Sequence, residues 1–218
     1  MPSGWPYYDG GGGKGKGRGK GFPRLDVEGV IDSYLQPLLL HSVQNTLSDR
    51  SNELLRKLWQ TADRQMPMRF YVSAKVDETN VIVCSTDAPS CAVGGKCDEP
   101  TVGVAIARKT TVFSNNINGY SVIFSMAGER LGQVSSGLSA VLKGEESLAI
   151  WLYANPIMEV SDHQSSAGQV IGILGVEGND DRAYDVFTNN VFQKEVEAIS
   201  CEVGPYLSVL SSLKQVNK

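Results

Sequence analysis

The chain has 218 residues, 41% hydrophobic and 20% charged, with a net charge of −4. That is ordinary for one well-buried domain with an appendage, and it argues against a disordered, fibrous or disulfide-stapled protein. No apolar run approaches the ~20 residues of a membrane-spanning helix. The first twenty residues hold no apolar signal core, so the expectation is a cytoplasmic protein with reduced thiols.

Residues 1–24 form a Gly/Lys/Arg-rich leader in which alternating glycine leaves nothing to pack, so disorder is expected. Lys14, Lys16, Arg18, Lys20 and Arg24 face a lone Asp9, so a basic leader precedes an acidic body. Lys14, Lys16, Arg18 and Lys20 are candidate contacts for nucleic acid or an acidic partner, with Trp5, Tyr7 and Tyr8 available to stack on bases. A solvated leader is the competing reading. The tract lacks the G-x-x-x-x-G-K-[ST] spacing of a phosphate-binding loop.

From Leu25, apolar residues recur in steps of three and four, which predicts a helix that Pro37 kinks or divides. A second helix is expected from about Ser48 or Asp49, with Leu54, Leu55, Leu58 and Trp59 as its stripe. His41 falls on or beside the apolar face, and a lone histidine there reads as packed or solvated. Phe70–Val72 and Val81–Val83 flank turn-forming residues and read as a β-hairpin. Beyond a polar loop, the stretch from Thr101 to Asn116 reads as strand, short helical pattern and strand, and Gly119–Met126 as another strand. Leu131–Glu146 is predicted as a short helix leading back to the sheet. A last hairpin follows, Ser147–Val160 and Gln169–Gly178, and then an amphipathic helix. Its stripe is Val191, Phe192, Val196, Ile199, Val203, Tyr206 and Leu207, with Thr188 or Asn189 as cap and Pro205 as a kink or break.

These elements predict an α+β fold with a central antiparallel sheet of about six strands and the N- and C-terminal helices packed on one face. The expected division is the leader at 1–24, one domain at 25–213 and a tail at 214–218. Val170, Ile173 and Val176 do not share one face, so their strand should be buried on both sides. Gly172 within it should admit a close neighbour.

The closing part carries a resemblance. Pro156 embedded in a hydrophobic strand, the run Val170-Ile171-Gly172-Ile173-Leu174 and the helix start at Phe187-Thr188 resemble the end of a GAF domain, mainly over residues 147–200. The resemblance implies a sensor of small ligands such as cyclic nucleotides, bilins, haem or metabolites, or else a module that docks on protein or dimerises through its terminal helices. The stripe Leu207, Leu210 and Leu213 permits such a dimer. The cyclic-nucleotide pattern Asn-Lys-x-x-x-Asp is absent, since Asn189-Asn190 and Lys194-Glu195 do not reproduce its spacing, and no Cys-His pair marks a bilin site. No cofactor is therefore assigned and the ligand stays unknown.

Cys84, Cys91 and Cys97 are the candidate thiols. A branch with this fold reduces free methionine sulfoxide with cysteines, chemistry that needs a thiolate and a resolving thiol within disulfide reach. Its Gly-Val-Cys-Gly-like segment falls at Val102-Gly103-Val104-Ala105, where Val104 holds the cysteine position. Ordinary loop cysteines are the competing reading, and zinc spacing is absent, so no metal is expected. His163 beside Asp162 forms an Asp-His pair without a placed nucleophile, as polar turn residues often do. Glu145-Glu146 and Asp180-Asp181-Arg182 read as solvated loops. A non-enzymatic sensor or docking subunit is the leading reading, with the thiol reductase and the nucleic-acid contact as alternatives.

Overall fold

The computed structural model describes residue 29 and residues 31–59, 68–76, 79–86, 93–117, 120–135, 151–159 and 168–216. The leader with Lys14, Lys16, Arg18 and Lys20, together with Cys91 and His163, lies outside the described residues.

Helix α1, Gln36–Trp59, follows a five-residue π-helical turn, Ile31–Leu35. Pro37 sits in its first turn, where the ring brings no N–H back to the wider turn before it, so it starts the helix instead of dividing it. No second helix begins at Ser48 or Asp49. Ser48 Oγ accepts a hydrogen bond from Gln44 Nε2, and Ser51 Oγ donates to the Ser48 carbonyl, so both serines are satisfied inside one continuous helix.

Seven strands follow: β1 Met68–Val76, β2 Thr79–Ser85, β3 Val112–Ile117, β4 Tyr120–Ser125, β5 Arg130–Ser135, β6 Trp151–Met158 and β7 Val170–Gly178. All pairings are antiparallel, in the order β2-β1-β7-β6-β3-β4-β5. Strand β7 lies between β1 and β6 and is buried along nearly its whole length, as its two-sided pattern requires.

Two segments differ from expectation. Thr101–Ala105 is not a strand but part of α2, Pro100–Arg108. Pro100 supplies a pre-set φ at the first helical position, and Lys109 closes the helix in the left-handed region at φ 53°, its N–H bonded to the Ile106 carbonyl. Leu131–Ser135, expected within a helix, belongs to β5, which is why the sheet has seven strands.

The remaining helices are α3, Ala183–Phe187, and α4, Asn190–Val216. Asn189 is the cap of α4, its Oδ1 accepting from the Val191 N–H at 2.8 Å. Pro205 does not end this helix, and its ring lies on the exposed side. Val191 also points outward, at 52% exposure, unlike the rest of its predicted stripe.

The sheet has a core on each face. On one, Phe70, Val72, Leu174 and Val176 meet Leu47 and Leu54 of α1 and Val196, Ile199 and Val203 of α4. Tyr153, Phe187 and Phe192 form an aromatic knot there with ring centroids 5.1–5.4 Å apart. On the other, Tyr71, Val112, Leu152 and Ile173 pack with Val102 and Ala105 of α2. Leu207 and Leu210 are buried in the first core, so the stripe that could have served a dimer is used within the domain. Helices α1 and α4 run antiparallel, linked by Arg50 to Glu195 and Glu202 and by Lys57 to Glu195, while Glu53 pairs with both cations within α1.

Candidate functional site

The described cysteines of the loop cluster do not form a site. Cys84 on β2 points into the core beneath α1 and α4, whereas Cys97 belongs to the core on the opposite face. The sheet separates them. Burial pushes the Cys84 thiol up to about 12, with a Val72 backbone hydrogen bond opposing it weakly. Burial pushes Cys97 up to about 11, against the pull of its contact with the Tyr71 hydroxyl. Neither is a thiolate near neutral pH, so neither is poised to attack.

Both thiols should resist iodoacetamide in the native protein at pH 8, while exposed Cys201 reacts; peptide mass spectrometry before and after denaturation checks this. The same shifts have a sign for stability. Thiols whose folded values are raised from 9.0 to about 12 and about 11 hold their protons in the fold and release them on unfolding. Their contribution is therefore complete below about pH 9 and fades as pH rises toward the folded values.

His41 is exposed on α1, one ring nitrogen 3.1 Å from Asn45 Nδ2. Among the described residues no three His, Cys, Asp or Glu side chains converge on a metal site. Nor is any helix long and apolar enough to cross a membrane. Asp180 is paired with Arg182 at 2.6 Å, which holds its carboxyl down at about 2.

The structure instead opens a cleft where sequence reasoning nominated nothing. Pairing of β3 with β6 stops at Val112↔Ala154, although β6 runs on to Met158 alongside β7. Pro156 supplies the reason, since its ring nitrogen has no hydrogen to extend the ladder. Beyond this point the β3 side of β6 is an edge, and α4 passes over it. The result is a cavity of about 690 Å³ between the β6 edge, the α2–β3 connection, the end of β4 and one face of α4.

A chain of hydrogen bonds spans its floor. Thr111 Oγ1 donates to Asn155 Oδ1 at 2.6 Å, Asn155 Nδ2 to Ser200 Oγ at 2.7 Å, and Ser200 Oγ to the Val196 carbonyl at 3.0 Å. Asn155 and Ser200 are buried, so this polar spine is held in a fixed geometry. Burial raises the neighbouring Tyr153 hydroxyl above its ordinary range, Glu197 adds to the rise, and Thr111 opposes it. Met126, Pro156 and Met158 give the cleft apolar walls, and Lys109, Glu159 and Glu197 its charges.

Strand β6 and α4 run in the same direction along this cleft. Tyr153 packs on Phe192 near the start of both, while a Cβ at Gly204 would lie 3.5 Å from Ile157 Cγ2 and 3.8 Å from the Met158 carbonyl. Pro156 and Gly204-Pro205 were visible in the sequence as fold features. Their joint effect, an opened strand edge facing a closely packed helix, needed the tertiary structure.

No family model matches the chain, and no curated protein matches it. Among solved structures it is similar to a type II free methionine-R-sulfoxide reductase from Thermoplasma acidophilum, with 8% identity over 78% of this chain and 94% of that one and a TM-score of 0.46. It is also similar to the GAF domain of a two-component sensor histidine kinase from Bacillus halodurans, at 12% identity, 75% and 95% coverage and a TM-score of 0.44. A third is the phycoerythrobilin-bound GAF domain of a cyanobacterial phytochrome, at 13% identity, 83% and 97% coverage and a TM-score of 0.43. The fold is α+β, with helices packed on a seven-stranded antiparallel sheet. At these identities and TM-scores, no ligand, activity or residue role passes to this chain.

Proposed function

We propose that the protein is a non-enzymatic, cytoplasmic GAF-like domain that binds a small ligand in the cleft between β6 and α4. The observation that carries this reading is the cavity of about 690 Å³ with the Thr111–Asn155–Ser200 spine across its floor, Asn155 and Ser200 being buried. Ligand sites commonly have such volumes, apolar walls and a few fixed polar groups. The buried thiols Cys84 and Cys97 give no support to a reductase. A thermal-shift screen of a metabolite library tests the proposal, and a ligand at ~100 times its dissociation constant stabilises by ~2.7 kcal/mol. The reading fails if no compound moves the melting temperature, or if the hits map by NMR away from Asn155, Ser200 and Glu197.

Docking on protein, including a second copy of the chain, is the second reading. Tyr34, Leu35 and Leu38 favour it, being 71%, 41% and 61% exposed at the start of the helical region. Such a subunit would sediment as a complex, ignore the library and be released by Leu38→Glu. The basic leader keeps its proposed role as a contact for nucleic acid or an acidic partner through Lys14, Lys16, Arg18 and Lys20.

A further inference from the structure

Resting on the cleft as the ligand site, we infer that its ligand class is a linear polyamine, lying along α4 with ammonium groups at Glu197 and Glu159. The backbones of these two lining residues lie toward opposite ends of the cavity. Glu197 stands beside the Tyr153 end, while Glu159 follows Met158, whose carbonyl neighbours Gly204. Seven residues separate Glu197 from Gly204, which is ~10 Å of rise along the helix axis. A single compact cation does not span that length, whereas an extended chain with charges at both ends does.

The groups between the ends suit such a chain. Met126, Pro156 and Met158 offer apolar contact to methylenes. The spine fixes Asn155 Oδ1, and Pro205 brings no N–H to the carbonyl of Cys201, another lining residue. The cationic side chain of the lining, Lys109, donates through Nζ to the Gly168 carbonyl at 3.1 Å. That contact draws its ammonium toward the last hairpin. Glu159 is fixed at the same hairpin, its N–H bonded to the Gln169 carbonyl at 2.8 Å.

Titration calorimetry on the full chain with spermidine tests the inference, beside hexanoate and 1,6-hexanediol as anionic and neutral chains. The expected result is one spermidine per chain and no heat from the other two. Glu159→Gln/Glu197→Gln should weaken binding by roughly tenfold or more, and Lys109→Met should strengthen it. Asp98→Asn/Asp185→Asn, which removes two exposed acids elsewhere, should leave it unchanged. Several weak equivalents per chain, equal weakening by both double variants, or no binding of spermidine overturns the inference. Binding of hexanoate or hexanediol that maps to the cleft overturns the polyamine while leaving the cleft as a ligand site. A library without any hit removes both.

Discussion

Phe192→Ala is expected to destabilise the protein by about 3–5 kcal/mol, the cost of deleting a fully buried aromatic ring. Phe192 stands in the first turn of α4 and joins three elements at once. Its ring meets Tyr153 of β6 edge-on at 5.1 Å and stacks on Phe187 of α3 at 5.4 Å. The knot is surrounded by the sheet and the helix, so neighbouring side chains have little freedom to refill the space. Against a typical domain stability of about 5–15 kcal/mol, such a loss takes a large share. Urea unfolding measures it. The adjacent Val191→Ala, at a side chain 52% exposed, should change stability by less than about 0.5 kcal/mol. Equal costs for the two variants would mean that α4 is rotated from its described position.

Gly172→Ala should cost about 3 kcal/mol for the opposite reason, too much matter in place of too little. A Cβ at residue 172 would lie 2.4 Å from the Ser73 carbonyl oxygen and 2.8 Å from Leu207 Cδ1. Leu207 can turn aside, but the oxygen belongs to the β1 backbone, which is registered to β7 over seven residue pairs from Met68↔Gly178 to Ala74↔Gly172. Relief therefore requires the central pairing of the sheet to shift. Gly103 makes the comparison sharp, because a Cβ there meets nothing within 4 Å and the residue lies on an exposed helical surface. Gly103→Ala should stabilise by about 0.5–1 kcal/mol through helix propensity and reduced freedom of the unfolded chain. A destabilised Gly103→Ala together with a neutral Gly172→Ala would contradict the assigned placement of both segments.

The contrast between these glycines also marks what could be read from the sequence. Gly172 was legible because the apolar residues around it left no solvent face, and a glycine there had to serve close approach. Gly103 was not, because Val102, Val104 and Ile106 alternate as a strand would, and β-branched residues reinforce that pattern. Tertiary packing of Thr101, Val102 and Ala105 and the Pro100 start outweighed it. Pro37 and Pro205 were recognised as irregularities, but their consequences depended on where the helix began and which side faced water.

The candidate site was less legible than the fold for a geometrical reason. Short spacing drew attention to Cys84 and Cys97, yet side-chain alternation on β2 and the path of the following loop send them to opposite faces. Asn155, Thr111 and Ser200 are distant in sequence and individually unremarkable. Their alignment arises because pairing of β3 with β6 ends at Ala154, before Pro156, and α4 crosses the opened edge.

The place of β7 in the sheet has a consequence during protein synthesis. It is the last strand to leave the ribosome, yet it alone joins the β2-β1 hairpin to the β6-β3-β4-β5 half. A nascent chain ending before Val170 therefore carries two unjoined partial sheets with open edges, and α4, which covers one of the two cores, has not yet been made. Closure depends on contacts between the earliest and latest translated parts of the domain, so a premature stop leaves adhesive fragments and not a smaller working domain.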